Sequence, residues 1–228
     1  MHDEIENPKK DIDVHYSSFL DNAFLDETYI EELKDLKDQD ETYYKIYALG
    51  QWATPSNIIY RNFDILDELP DCEETIYGLD FGFNAPTALV EVNIKDEEIY
   101  LKQLIYERKM TNADLIRRLG ELIEDKNKPI YADSAEPNRI QEITNNGFNC
   151  HPSDKSVKDG IDFVKRKKLH IHQDSEDLLK EIKGYKWKED KDGNVLEDPL
   201  KFNDHLLDAL RYALYTYNKV PEISLEFI

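Results

Sequence analysis

Residues 76–106 read IYGLDFGFNAPTALVEVNIKDEEIYLKQLIY, and their pattern decides the fold class. Residues 76–81 (IYGLDF) are a short apolar and aromatic run, the mark of a buried strand. Residues 87–94 (TALVEVNI) alternate as a strand does, and residues 99–106 (IYLKQLIY) form a third strand after a turn at 95–98. Strands joined by connections this short predict an antiparallel meander.

Working outward, residues 112–126 predict an amphipathic helix with Leu115, Ile116, Leu119, Leu122 and Ile123 on one side. A strand follows at 129–132 (PIYA). A helix at 137–145 begins with proline and has Gly147 just beyond its end. Then come a short strand at 148–151, a basic helix at 157–167, a short strand at 168–171 and a helix at 176–186. Residues 185–202 suggest a hairpin around Asp192-Gly193. The last helix, 203–217, has Leu207, Leu210 and Leu214 as its apolar stripe. A meander followed by βα units predicts an α/β fold, a mixed sheet with helices on both faces.

On the other side of the meander the texture changes. Residues 1–16 are polar and are expected to be a loose tail. Residues 17–75 are read as a helical or linker segment packed on the main domain, which spans 76–228. Acids open a helix at 26–36 (DETYIEELKDL). A similar pattern at 40–52 (DETYYKIYALGQW) has Gly50 as its expected C-cap.

Composition excludes several classes. Hydrophobic residues make up 40% of the 228, enough for a core, so whole-chain disorder is not expected. No apolar run is long enough to span a membrane, and the polar, acidic start is not a signal peptide. Cys72 and Cys150 make neither a disulfide framework nor a zinc pattern, so a cytoplasmic location is expected. The net charge of −20 argues at first against a nucleic-acid partner. Its distribution softens that, because residues 1–75 hold 20 Asp/Glu against 6 Lys/Arg. A site that binds cations also needs local acid.

Four residues could carry chemistry. Asp80 ends the most buried strand, where an unpaired carboxylate is costly; its competing role is to cap a turn. Asp133 follows the fourth strand, at the kind of crossover where open α/β sheets place their sites; an ordinary turn role competes. Asp204 and Asp208 share a face of the last helix, with His205 three residues before Asp208. Capping half explains Asp204, but Asp208 lies inside the helix, where aspartate is unfavourable. Acids on the first strand, after the fourth strand and on the last helix can meet at one sheet edge. Oxygen donors suit Mg²⁺ or Mn²⁺, and two such ions about 3.5–4 Å apart serve phosphodiester hydrolysis.

The segments GLDFGFNAPTAL, IYADSAEPNRI and NDHLLDALRYALYTY resemble the nuclease domain of the large terminase subunit, the DNA-packaging motor of tailed bacteriophages. The resemblance covers about residues 40–218 and includes ALGQW before the first strand. It implies an RNase H-like mixed five-stranded sheet flanked by helices, behind a short helical segment. It implies a two-metal endonuclease that cuts concatemeric double-stranded DNA with little sequence specificity. Asp80, Asp133 and Asp208 would be the ligands of two Mg²⁺ or Mn²⁺ ions, with His205 as an auxiliary catalytic group. The implied partners are DNA, the terminase ATPase domain or small subunit, and the portal, in the host cytoplasm. The hairpin at 185–202 falls where the family has a mobile one. No G-x-x-x-x-G-K-[ST] phosphate loop is present, so the chain is not expected to be a complete motor.

Two alternatives share these residues. Another RNase H-like nuclease, a junction resolvase or a hybrid nuclease, would use the same acids. A non-catalytic module would instead dock on a motor partner through residues 1–75. Two further features have ordinary readings beside functional ones. The basic run 155–168 could bind DNA phosphates or be a solvated helix face. Tyr16, Tyr29, Tyr43, Tyr44, Tyr47 and Tyr60 could stack on bases, although packing is the commoner use.

Overall fold

The meander read from residues 76–106 is present, at the centre of a mixed sheet. The computed structural model describes residues 15, 17–51, 57–72, 74–190 and 193–219. Among them the strands are β1 (Phe63–Leu66), β2 (Glu74–Asp80), β3 (Thr87–Lys95), β4 (Glu98–Glu107), β5 (Ile130–Ala132), β6 (Cys150–Pro152), β7 (Leu169–His172), β8 (Trp187–Glu189) and β9 (Val195–Pro199). Seven of them form one sheet in the order β1-β7-β4-β3-β2-β5-β6. Strands β2, β3 and β4 pair antiparallel, while β5 and β6 extend one side in parallel and β7 and β1 the other.

In chain order the main helices are α1 (Glu27–Gln39), α2 (Asn112–Leu122), α3 (Pro137–Asn145), α4 (Val157–Lys165), α5 (Glu176–Gly184) and α6 (His205–Tyr217), of which α2 to α6 cover both faces of the sheet. One face of the sheet packs Ile76, Val90 and Leu101 against Val164, Ile182, Leu207, Leu210 and Leu214 of α4, α5 and α6. The other packs Leu79, Leu89 and Ile130 against Leu115, Leu119, Ile140 and Ile143 of α2 and α3. Each fully buried leucine or isoleucine contributes roughly 1.5–3 kcal/mol, so these two layers outweigh any surface ion pair. Helix α6 lies directly on β2. A Cβ added at Gly78 would stand 1.9 Å from the Ala209 carbonyl oxygen, so only glycine permits this approach.

The chain divides into two compact units, Met1–Ser56 and Asn57–Ile228. Within the first, the Asp26 side chain caps α1 and Leu33 and Leu36 are buried. Asp40 then opens a short turn of helix at Glu41–Tyr43, which runs into a π-helical turn at Tyr44–Ala48. Tyr43 and Tyr47 pack ring to ring at 5.1 Å. Gly50 has φ +62, the left-handed conformation expected after a helix end. Most of the tail 1–16, including Tyr16, lies outside the described residues, as does Trp52.

The sheet is mixed and flanked by helices as expected, but it has seven strands where the resemblance implies five; six of them match strands read from the sequence, and the seventh is β1, which lies within residues 17–75. Its four residues pair with β7 from Phe63↔Leu169 to Leu66↔His172. A four-residue strand at a sheet edge, with both central residues exposed, carries almost no periodic signal. Helix ends also differ by a few residues. Asn203, at φ +48, lies outside α6, which starts at His205. Strands β8 and β9 form the expected hairpin, with Trp187 opposite Pro199; Asp192 lies outside the described residues. Tyr60 and Tyr185 stack at 5.5 Å in the core, so Tyr60 serves packing. Both cysteines are free. Among the described residues no helix is long and apolar enough to cross a membrane.

Candidate active site

Three structural facts bring the candidate acids to one edge. Asp80 is the last residue of β2. Strand β5 runs parallel beside β2, with Leu79 opposite Ala132, and the Asp133 amide donates to the Leu79 carbonyl at 3.0 Å. Asp133 therefore leaves the sheet next to Asp80. Helix α6 crosses β2 over Gly78 and carries His205 and Asp208 to the same end.

Asp80 is 8% exposed, and the His205 Nδ1 lies 3.0 Å from its Oδ2. Burial raises the Asp80 carboxyl above its ordinary pKa; His205 opposes this, and Asp208 and Asp133 add to it. Tyr212, one helical turn beyond Asp208, is pushed up by burial and then by Asp208, Asp80 and Asp133 together. All three acids thus act on the same neighbours. Burial would lower the His205 pKa, but its bond to Asp80 and the charges of Asp80, Asp204 and Glu181 raise it to about 8. The raised value favours the imidazolium form, in which Nδ1 donates to Asp80.

Each acid has its own positive partner. Besides His205 on Asp80, Lys155 Nζ sits 2.6 Å from Asp133 Oδ1. Arg211 Nη2 sits 2.7 Å from Asp208 Oδ1, and Arg211 Nη1 reaches the Ser156 carbonyl at 3.3 Å. Room for Arg211 comes from Gly160 of α4, where an added Cβ would stand 2.6 Å from its side chain. The Arg211 pair explains how Asp208 is accommodated inside a helix. No group of three His, Cys, Asp or Glu among the described residues is placed to hold a metal ion.

The ordinary readings are only partly present. Asp133 does shape a turn, accepting from the Ala135 amide at 2.8 Å with the same Oδ1 that meets Lys155. Asp204 stands at the N-cap of α6 but makes no side-chain capping bond. Its carboxyl is raised well above the usual range by burial, by Asp208 and by Asp80, with His205 opposing. Glu181, on α5, was not foreseen. It is 3% exposed and is pushed up to about 8 chiefly by burial. The signal was available: Glu181 interrupts an apolar stripe that includes Leu178 and Ile182. Arg211 was legible too, three residues after Asp208 on a helix. The basic run 155–168 is largely used internally, Lys155 on Asp133, Lys158 on Glu197 of β9 and Lys168 on Asp64 of β1.

The family model described as "Terminase RNAseH like domain" matches residues 80–216, from the first acid to the end of the helix that bears the last. The chain belongs to the terminase RNase H-like domain family. A second model, "Phage terminase large subunit", matches residues 1–51. The PBSX phage terminase large subunit of Bacillus subtilis (strain 168) is 30% identical over 224 residues, which is 92% of this chain and 52% of that protein. The chain spans about half the length of the curated relatives it matches. Among solved structures, the manganese-bound nuclease domain of the large terminase of bacteriophage SPP1 aligns with a TM-score of 0.61 at 20% identity, covering 68% of this chain and 97% of that one. The large terminase of thermophilic bacteriophage D6E aligns with a TM-score of 0.60 at 24% identity, covering 89% of this chain and 54% of that one. The fold is therefore that of terminase nuclease domains.

Proposed function

We propose that this chain is the nuclease part of a packaging terminase, an endonuclease that cuts concatemeric double-stranded DNA with little sequence preference. The observation that carries the reading is the meeting of Asp80, Asp133 and Asp208 at one sheet edge, with His205 bonded to the most buried of them. On this reading Asn57–Ile228 is the nuclease domain, and residues 1–51 belong to the segment that leads from the ATPase part of a larger subunit. Double-stranded DNA, the ATPase part or small subunit and the portal are its partners.

The donor set fits hard divalent cations. Carboxylate oxygens from two strand ends and a helix suit Mg²⁺ or Mn²⁺, and the relative in phage SPP1 was solved with manganese. Asp80, Asp133 and Asp208 would hold two such ions, which would polarise the phosphate and favour ionisation of the attacking water. The remaining chemistry belongs to the chain. Both other acids act on Asp80, which makes it the group best placed to be shared. His205 fixes the orientation of Asp80. Arg211 fixes that of Asp208, and Gly160 leaves it the room to do so. Lys155 is 42% exposed and can turn from Asp133 to a backbone phosphate of DNA. Backbone contacts of this kind carry no sequence information, consistent with weak sequence preference.

The test is a plasmid cleavage assay in Mn²⁺ and Mg²⁺, with linear duplex, branched junction and RNA–DNA hybrid substrates alongside. Metal-dependent nicking and linearisation of plasmid is expected, with Asp80→Asn, Asp133→Asn and Asp208→Asn each inactive. Preference for the junction or the hybrid would replace packaging cleavage by that activity. Absence of both cleavage and a Mn²⁺-dependent thermal shift would leave a docking module as the reading.

A further inference from the structure

Helix α6 brings both His205 and Asp208 to the site, so its direction at the first turn matters. The first amides of a helix have no partner within it, and the N-cap side chain ordinarily accepts from the second or third residue. Asp204 is at that position, and aspartate is among the preferred caps. It does not serve. The acceptor comes from another helix. Glu181 Oε2 of α5 receives the Leu206 amide at 2.8 Å and the Leu207 amide at 3.1 Å. These are the second and third residues of α6, the amides a local cap would take.

This arrangement is costly. Glu181 is buried, burial raises its carboxyl, and the Tyr106 side chain is a further hydrogen-bonding neighbour. Taking a second carboxyl out of water costs more than one N-cap bond gains. Capping by Asp204 would avoid that cost, so stability alone does not account for Glu181. Two consequences of the exchange concern the site. The start of α6 is tied to α5, which is packed on the same sheet face, and not to its own lead-in. The Asp204 carboxylate is left unengaged by the helix, beside Asp80 and Asp208.

We propose that Glu181 is a positioning residue: it caps α6 from α5, sets the direction in which Asp208 and His205 face Asp80, and keeps Asp204 out of the capping role. The inference rests on the nuclease reading given above, and its test separates the two.

Metal-free protein is titrated with MnCl₂ by calorimetry, and plasmid nicking is measured on the same preparations. Three variants are compared with the unmodified chain, each shown by circular dichroism to be folded at the assay temperature. Glu181→Gln keeps an acceptor oxygen at the same reach, and is expected to stay within threefold of the unmodified chain in both readouts. Glu181→Leu keeps the bulk and removes the acceptor. It is expected to bind Mn²⁺ on the order of 10-fold or more weakly, as removal of groups that orient ligands does, with nicking falling in parallel. Glu181→Asp shortens the reach by one methylene; it is expected to show the same loss and carries the test if the leucine variant does not fold. Unchanged Mn²⁺ affinity in the leucine or aspartate variant, whatever its melting temperature, would make Glu181 merely structural and overturn the inference. Absence of Mn²⁺ binding and nicking in the unmodified chain would instead overturn the nuclease reading, and the inference with it.

Discussion

Two helices of this molecule begin in opposite ways. Helix α2 caps itself: the Thr111 side chain accepts from the Asp114 amide, and the Asp114 carboxylate reaches back to the Thr111 amide and hydroxyl. Everything that start needs lies within four residues of sequence. Helix α6 begins with an aspartate that does not cap, and takes its acceptor from a residue 25 positions away. The first helix only has to fold, and local chemistry suffices. The second has to present side chains in a fixed direction, and a distant, rigidly packed group supplies the cap. A self-contained start gives stability, while a start tied to its neighbour gives placement.

The largest break in that comparison comes from equivalent changes in the two first turns. Asp208→Asn removes a carboxylate assigned to the site, and cleavage is expected to fall by roughly 100-fold or more, since such groups supply several kcal/mol in the transition state. Asp114→Asn removes a carboxylate of the capping box, and cleavage is expected to stay within twofold, with about 1 kcal/mol of stability lost. Nicking rates and denaturant midpoints of the two proteins measure both halves. Comparable cleavage by the two variants would mean that α6 holds no site residue at that position.

Next in size is the dependence on pH. Burial pushes Glu181 up to about 8 and also raises Asp204, while Asp80 holds His205 up at about 8. All three have a higher pKa folded than unfolded, so the folded chain holds their protons more tightly. Their stabilising contribution is full at low pH and is lost as pH rises through their folded values. The metal-free chain is therefore expected to be less stable at pH 8.5 than at pH 6 by about 1 kcal/mol or more, since a tenfold difference in proton affinity between the folded and unfolded chain is worth about 1.4 kcal/mol. Asp204→Asn should flatten the slope and raise the pH 8.5 melting temperature. In α2, Asp114 is lowered by its bonds to Thr111, the opposite sense, so Asp114→Asn should not flatten it. A scan of melting temperature against pH for the three proteins decides the point.

What could be read in advance divides along the same line. The meander was legible because β2, β3 and β4 are sequential, carry regularly placed buried residues and are joined by short connections. Asp80 and Asp133 were legible because strand ends can be located from the apolar runs before them, and Asp208 because it interrupts an otherwise good helix. Strand β1 was not, since its pairing with β7 joins residues more than 100 positions apart and its own pattern is too short. The partner of Lys155, the amides that Glu181 receives and the missing cap at Asp204 were not, because each depends on which side chain arrives from another element. A preferred N-cap residue at an N-cap position gives no sign that its place has been taken.

A moderate effect is expected from Thr111→Ala. An N-cap replaced by alanine costs about 1 kcal/mol, or roughly 2–4 °C for a domain of this size. The site is on other elements, so cleavage at a temperature well below melting should be unchanged. A thermal melt and a nicking time course on one preparation test this, and a loss of cleavage without a loss of stability would tie α2 to the site.

The smallest effect sharpens the comparison from the other side. Further along α2, Glu121 bonds Arg117 at 2.7 Å and Arg118 at 2.9 Å. At 2.7 Å the Arg117 pair is as short as the bond of Arg211 to Asp208 on α6. The difference is solvent: the Arg117 side chain is 61% exposed and that of Arg211 is 3% exposed. An exposed pair at this spacing is worth about 0.3–0.5 kcal/mol and is screened by salt, so Arg117→Ala should shift the denaturant midpoint only slightly, and less at about 1 M salt. Arg211→Ala leaves Asp208 without its partner and opens a gap beside Gly160, and is expected to cost several kcal/mol. Chemical denaturation at two salt concentrations measures the pair of variants. Equal costs would show that distance, and not burial, sets what these ion pairs contribute, and would remove the physical basis for treating the first turns of α2 and α6 as different in kind.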